Sequence, residues 1–117
     1  IVRGAIENLL PDNRFGSARA VGGFWTRDHS VEVDLVGADR SEPPVNAVAF
    51  IGSIKWRQRK PATGTDVAEL IHSGAQIAGV TAETPLVLVS RSGIADVKAP
   101  LAAGLTPDEL LASFSLD

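Results

Sequence analysis

The chain has 117 residues, no cysteine, 21% charged residues and a formal net charge of −3. This length suits one domain, and a hydrophobic content of 44% is ordinary for a globular fold. The acidic balance argues against a protein that coats nucleic acid or membrane by bulk charge, and the lack of cysteine excludes disulfides and thiolate metal sites. No apolar run approaches the roughly 20 residues that span a bilayer, so we expect no membrane partner and a cytoplasmic location.

The chain contains no methionine and begins at Ile1 inside an amphipathic pattern. A natural cytoplasmic protein begins with an initiator residue. We therefore expect residues 1–117 to be a single domain from a larger protein, and part of that protein's activity to lie outside them.

The first third of the chain predicts a helix and then a strand. Apolar residues recur at helical spacing over residues 1–10, and Pro11 ends the run. A strand is expected at about residues 17–25. The polar stretch 26–30 is a hairpin connection that is longer than a tight two-residue turn.

Two further strands follow the hairpin. Residues 31–36 alternate between apolar and polar side chains, which predicts a second strand. Residues 37–44 have the composition of a loop. Residues 45–56 are nearly continuous in apolar side chains, which is typical of a central strand that is covered on both faces.

The second half of the chain predicts two helices with a strand between them. A helix should begin near Thr65 or Asp66, residues 85–90 form a fourth strand, and residues 91–105 combine a short helix and a short strand. Thr106 to Glu109 has a threonine N-cap, a following proline and a glutamate three residues after the cap, the signature of a helix start. The predicted buried stripe of the first of these helices is Val67, Leu70, Ile71, Gly74, Ala75 and Ala78.

This order of elements predicts an α/β fold with a mixed sheet flanked by helices. Adjacent strands joined by short loops should be antiparallel, so the first three strands form a meander. The helix after the third strand should carry the fourth strand back parallel to it.

Polar side chains share faces on the second and third predicted strands. A period of two places Glu32 and Asp34 together on one strand, and Ser53 and Lys55 together on the next. If pairing joins these faces, carboxylates and an ammonium group meet on one patch. Such oxygen ligands hold Mg²⁺, and a lysine beside the ion can orient a water for attack on a phosphodiester.

The order of elements resembles the PD-(D/E)XK nuclease-like pattern, which has an acidic residue on the second strand and an acid-x-Lys tripeptide on the third; residues 53–55 of this chain take the place of that tripeptide. More narrowly, the chain is similar to the C-terminal nuclease-like domain of archaeal-type AAA ATPases. The resemblance implies a restriction-endonuclease-like fold with an α-β-β-β-α-β core, and an ATP-binding ATPase domain elsewhere in the parent protein. It rests on residues 21–25, 31–36, 50–56, 89–93 and 105–111, which match in this order over most of the chain.

The resemblance also implies roles for single residues. Asp34 matches the acid of the second strand, Lys55 matches the motif lysine, and Glu7 matches a first-helix carboxylate of some relatives. Ser53 stands where the family usually has glutamate, and a neutral hydroxyl is a poorer ligand than a carboxylate for a hard cation. Asp34 and Lys55 are then vestigial catalytic residues, and Glu32 could partly replace the missing ligand. The alternative is a semi-buried ion pair between Asp34 and Lys55 on an inactive scaffold.

A basic cluster with an aromatic residue follows the third strand. If the strand continues, these cations form a ridge that contacts phosphates, and Trp56 packs or stacks beside it. The alternative is a solvated strand end with Trp56 in the core. The cations are Lys55, Arg57, Arg59 and Lys60.

Two functions are compatible with these residues. The favoured one is a non-catalytic, degenerate nuclease-like accessory domain of an AAA-type ATPase, which binds DNA or a protein partner and needs no cofactor of its own. The other is a residual DNA endonuclease that depends on Mg²⁺ or Mn²⁺, in which Asp34, Glu32 and Glu7 hold the ion and Lys55 positions water. A third, weaker possibility is that the basic strand end only packs on the ATPase domain.

Overall fold

The computed structural model describes residues 2–10, 12–16, 18–28, 30–39, 48–95, 97, 101 and 103–112. No helix in these ranges is both long enough and apolar enough to span a membrane. A short 3-10 helix at Asn13–Phe15 precedes the first strand. In chain order the elements are α1 (Val2–Leu9), β1 (Ala20–Trp25), β2 (Glu32–Ala38), β3 (Val48–Lys55), α2 (Gly64–Gly74), β4 (Leu86–Ser90), β5 (Ala103–Leu105) and α3 (Pro107–Ala112).

The strands form one five-stranded sheet in the order β1-β2-β3-β4-β5. The first three strands pair antiparallel, and β4 and β5 continue the sheet parallel to β3. This confirms the predicted α/β class, the mixed sheet and the parallel return through α2. The β5 strand is the short strand expected within residues 91–105, and at three residues it is too short to show a period.

The sheet is buried on both faces, as predicted for the strand β3. Helices α1 and α3 cover one face and α2 covers the other. The first face is packed by Ala5, Ile6, Leu35, Phe50, Val87 and Leu110, and the second by Val33, Ile51, Val67, Leu70 and Leu88.

Strand β2 runs two residues further than predicted, because its glycine serves packing rather than a turn. Gly37 lies directly opposite Phe50 in the antiparallel ladder. A Cβ atom at Gly37 would collide with the Phe50 ring, which is fully buried there. Because Gly37 has no side chain, the Phe50 ring can pack over it in the core. Strand β2 therefore continues past Gly37, and the loop that follows starts later than its composition indicates.

Helix α2 begins after Thr63, whose backbone N–H donates to the Asp66 carboxylate at 2.9 Å. Such a contact satisfies a donor at the helix start. The predicted buried stripe is confirmed for Val67, Leu70 and Gly74. It is wrong for Ile71, which is 50% exposed, and for Ala75 and Ala78, which lie beyond the helix and are exposed. The helix ends at Gly74, so its apolar face is shorter than the sequence pattern.

Candidate functional site

Asp34 lies where the backbone ladder between β2 and β3 stops. The described pairing ends with Leu35 opposite Gly52. Beyond this point the N–H of Ile54 donates to Asp34 Oδ2 at 2.8 Å, so a side chain takes the place of a backbone carbonyl. The two strands can therefore separate here without leaving the Ile54 donor unsatisfied.

The other edge of β2 is irregular at the same level. Its register against β1 shifts between residues 22 and 24. Buried and less buried positions alternate along β2 as predicted, but Val33 packs on the α2 face whereas Leu35 packs on the α1 face, so these two residues do not share one face. Arg3 reaches from α1 to donate to the Asp34 carbonyl at 3.3 Å, and it passes over Gly23, where a Cβ atom would collide with the guanidinium. Such irregularities re-aim side chains next to functional sites.

The opening between β2 and β3 forms a cleft of about 160 Å³ that helix α2 borders. The structure thus brings together four residues that the sequence analysis had placed on one patch. It also adds two polar residues from α2. The polar lining consists of Glu32, Asp34, Ser53, Lys55, Glu69 and Ser73.

Glu69 and Ser73 were not among the predicted site residues, because the predicted polar patch was drawn from the strands and α2 was described only by its buried stripe. They stand four positions apart on α2, so they lie on one side of the helix, next to the buried Leu70. A residue that borders the buried stripe of a helix necessarily borders the sheet beneath it. That signal places both residues near the sheet, whereas their position at the cleft also depends on the rotation of α2.

Lys55 is held by a buried carboxylate that the sequence analysis also missed. Lys55 Nζ lies 4.0 Å from Asp66 Oδ1, and Arg57 Nη2 lies 2.7 Å from Asp66 Oδ2. Burial alone would raise the pKa of Asp66, but the hydrogen bonds from Arg57 and the Thr63 N–H, with the charges of both cations, lower this pKa below its usual value. The carboxylate that pairs with Lys55 is therefore Asp66, whereas the Asp34 carboxylate accepts a backbone N–H.

The basic cluster does not continue the strand, since β3 ends at Lys55. Arg57 turns inward to the buried carboxylate, while Arg59 and Lys60 are exposed. Trp56 is 50% exposed, so the alternative that placed it in the core is wrong. The exposed cations and the indole together face solvent at this end of the sheet.

Glu7 lies away from these residues. Its Oε2 accepts the N–H of Val21 at 2.9 Å on β1, the edge strand of the sheet. Glu7 therefore satisfies an edge donor, and it does not line the cleft that contains Asp34. Within the described ranges no three acidic or histidine side chains are grouped closely enough to hold a metal ion.

Ser90, at the end of β4, stands beside Lys55 in the parallel ladder. The residue is fully buried, and its hydroxyl has no hydrogen-bond partner among the described residues. A buried hydroxyl of this kind can receive a water or a ligand atom.

Comparison of the chain with protein-family models, with curated proteins and with solved structures gives no match.

Proposed function

We propose that this domain is a nuclease-like accessory module of a larger ATPase, and that it binds DNA at its cleft without efficient cleavage. One observation carries the proposal: Asp34 and Lys55 converge on one cleft while both are engaged by the protein itself. The order of helices and strands, with the antiparallel meander followed by a parallel return, supports a restriction-endonuclease-like fold.

The lack of efficient cleavage follows from the charge of the cleft. Ser53 contributes a nearly buried, neutral hydroxyl at the position where a carboxylate is expected. A divalent ion loses an anionic ligand there. The ammonium group of Lys55 is also shared with Asp66, which limits its freedom to hold an attacking water. Binding of phosphates needs neither of these functions, because the exposed Arg59 and Lys60 lie nearby in the chain.

DNA binding should depend on the exposed cations at this end of the sheet. We expect Arg59→Gln to weaken binding of a labelled oligonucleotide. The plot of log affinity against log salt concentration should become less steep by about 1, since one phosphate contact is lost. Arg19→Gln is the matched control, because Arg19 is exposed at the start of β1, at the opposite end of the sheet. Fluorescence anisotropy at several salt concentrations measures both variants. Equal effects of the two substitutions would contradict this interface, and cleavage with Mn²⁺ that disappears in Lys55→Ala would contradict the non-catalytic assignment.

A second candidate function is residual cleavage that depends on a divalent ion, and the position of Glu69 favours it. Glu69 brings a carboxylate from α2 into the cleft that holds Asp34 and Glu32. This group could replace the ligand missing at Ser53. The three carboxylates are not grouped closely enough for an ion in this structure, so Asp34, Glu32 and Glu69 would have to move together to hold Mg²⁺ or Mn²⁺, and Lys55 would then orient the attacking water.

Calorimetry with Mn²⁺ distinguishes this candidate from the first. If it is correct, the domain binds Mn²⁺, and Asp34→Asn and Glu69→Gln each weaken binding by about tenfold or more, since even outer-shell partners of metal sites contribute roughly 10- to 100-fold. Asparagine at position 34 still offers an oxygen to the Ile54 N–H, so the local fold should be kept. Glu83→Gln is the matched control on an exposed turn after α2. This candidate is ruled out if Mn²⁺ gives no heat of binding, or if Glu83→Gln weakens Mn²⁺ binding as much as the cleft variants do.

A further inference from the structure

We infer that the end of the sheet that carries the cleft is a surface for single-stranded nucleic acid, on which bases stack against Trp25 and Trp56. The inference rests on the proposed function, because it specifies the form of nucleic acid that is bound. The chain has two tryptophans. Their exposed fractions are 57% and 50%, so both indoles offer much of their surface to solvent.

The two tryptophans stand at the end of the sheet where β2 and β3 open. Trp25 is the last residue of β1 and pairs with Glu32, the first residue of β2. Lys55 is the last residue of β3, and Trp56 follows it directly. Because β2 and β3 are antiparallel, the start of one strand and the end of the other meet at the same end of the sheet. Strand β2 lies between β1 and β3, so Trp25 and Trp56 are carried on either side of β2 at the same end of the sheet.

The hairpin that presents Trp25 is fixed by its own side chains. Asp28 Oδ1 accepts the hydroxyl of Thr26 at 2.7 Å, and it accepts the N–H and hydroxyl of Ser30 at 3.1 and 2.8 Å. The N–H of Val31 donates to the Thr26 hydroxyl at 3.2 Å. An indole on a fixed turn loses little conformational freedom when a base stacks on it.

Exposed cations lie at this end of the sheet although the formal net charge of the whole chain is −3. In the segments that end or follow β1, β3 and β4, cations outnumber carboxylates. Aromatic platforms beside cations are the usual combination for single strands, because the cations follow the backbone while the rings take the bases. In the described part of these segments the carboxylate is Asp28 and the cations are Arg27, Lys55, Arg57, Arg59, Lys60 and Arg91. Lys55 and Arg57 are paired with Asp66, and the carboxylates of the neighbouring cleft are Glu32, Asp34 and Glu69, so the exposed cations available to a phosphate are Arg27, Arg59, Lys60 and Arg91.

The exposed indoles favour the binding of single-stranded over duplex nucleic acid. In a duplex the faces of the bases are already stacked on one another, so a side chain can reach only the ends or the grooves. An unpaired base offers both faces to an aromatic side chain. Each such stack raises affinity by about 5- to 100-fold, whatever the base.

The experiment is a titration of the domain's own tryptophan fluorescence with an oligothymidylate of about 12 nucleotides, beside a duplex of equal length. We expect the single strand to quench the emission and to bind more tightly than the duplex. Trp25→Ala and Trp56→Ala should each weaken its binding by about fivefold or more, and Trp→Phe at either position should restore part of it. The variants are compared by anisotropy of the labelled strand. Ile71→Ala is the control, since Ile71 is an equally exposed apolar side chain on α2 that borders a different groove.

The outcomes separate this inference from the proposed function. Tight duplex binding that neither tryptophan substitution changes overturns the stacking surface and leaves DNA binding intact. If the domain binds neither the single strand nor the duplex, both the stacking surface and the proposed DNA binding are overturned. Weakened binding in Ile71→Ala to the same degree as in the tryptophan variants also overturns the inference, because the loss is then not specific to the stacking positions.

Discussion

Replacing Asp66 with alanine should lower the free energy of unfolding by about 2–4 kcal/mol. Asp66 is 5% exposed and accepts hydrogen bonds from Arg57 Nη2 at 2.7 Å and from the Thr63 N–H at 2.9 Å. Its loss leaves a partly buried guanidinium without its anion and removes an acceptor from the start of α2. The buried Nε of Arg57 already has no partner among the described residues, so without Asp66 the guanidinium keeps the hydrogen bond from Nη2 to the Pro61 carbonyl at 3.2 Å but no anion.

Urea unfolding of three variants tests this expectation. Asp66→Asn keeps an oxygen for the Thr63 N–H but loses the charge, so it should be less destabilising than alanine. Glu69→Ala lies on the same helix at an exposed position and should change stability by less than about 0.5 kcal/mol. Equal losses for the alanine variants at positions 66 and 69 would contradict a structural role for the Asp66 carboxylate.

The same group makes stability depend on pH. The pKa of Asp66 is lowered in the folded state: burial raises it, but the hydrogen bonds and charges of its partners outweigh burial. A carboxylate whose pKa is lowered on folding stabilises the folded state at any pH above the ordinary pKa of an aspartate. This stabilisation is lost as the pH falls through the pKa that Asp66 has in the folded state. The difference in unfolding free energy between the wild type and Asp66→Asn should therefore shrink on acidification.

Replacing Phe50 with alanine should lower the free energy of unfolding by about 3–5 kcal/mol. Phe50 is fully buried on the α1 face, and its ring centroid lies 5.4 Å from that of Phe15. Gly37 has no side chain and leaves space for the ring on β2, so removal of the ring leaves that space empty. The truncation therefore combines lost apolar burial with a cavity.

Thermal or urea unfolding of Phe50→Ala, Phe50→Leu and Phe24→Ala gives the comparison. Leucine fills part of the cavity and should cost less than about 2 kcal/mol. Phe24 is only half-buried, so its truncation should cost less than that of Phe50. If the domain binds DNA as proposed, folded Phe50→Ala should still bind it, because Phe50 packs on the α1 face and the cleft lies on the α2 face. A loss for Phe50→Ala no larger than that for Phe24→Ala would contradict this packing.

The sequence was sufficient to predict the sheet and the meeting of Asp34, Ser53 and Lys55. Hydrophobic periodicity sets which strand faces are buried, and short loops force neighbouring strands to pair. These are local properties that a single sequence contains. The meeting of the polar faces follows from them once β2 and β3 are adjacent.

The contacts of Asp66, Glu69 and Glu7 could not be predicted in the same way. Asp66 has the sequence signature of a helix start, but its pairing with Arg57 depends on the path of the loop between β3 and α2. The position of Glu69 at the cleft depends on the rotation of α2 against the sheet. Glu7 was assigned by resemblance, whereas its hydrogen bond to Val21 depends on how α1 lies along the edge strand.

The hydrogen bond from the Ile54 amide to the Asp34 carboxylate gives the cleft an intrinsic spectroscopic reporter. The resonance of an amide proton held by a charged side chain responds to any change in that charge. A ligand that recruits Asp34 should shift the Ile54 resonance and speed its exchange with solvent. The Ile51 amide donates to the Pro85 carbonyl at 3.1 Å and should stay unchanged as an internal reference. Occupancy of the cleft can thus be followed in an isotope-edited amide spectrum, without a dye or a substitution.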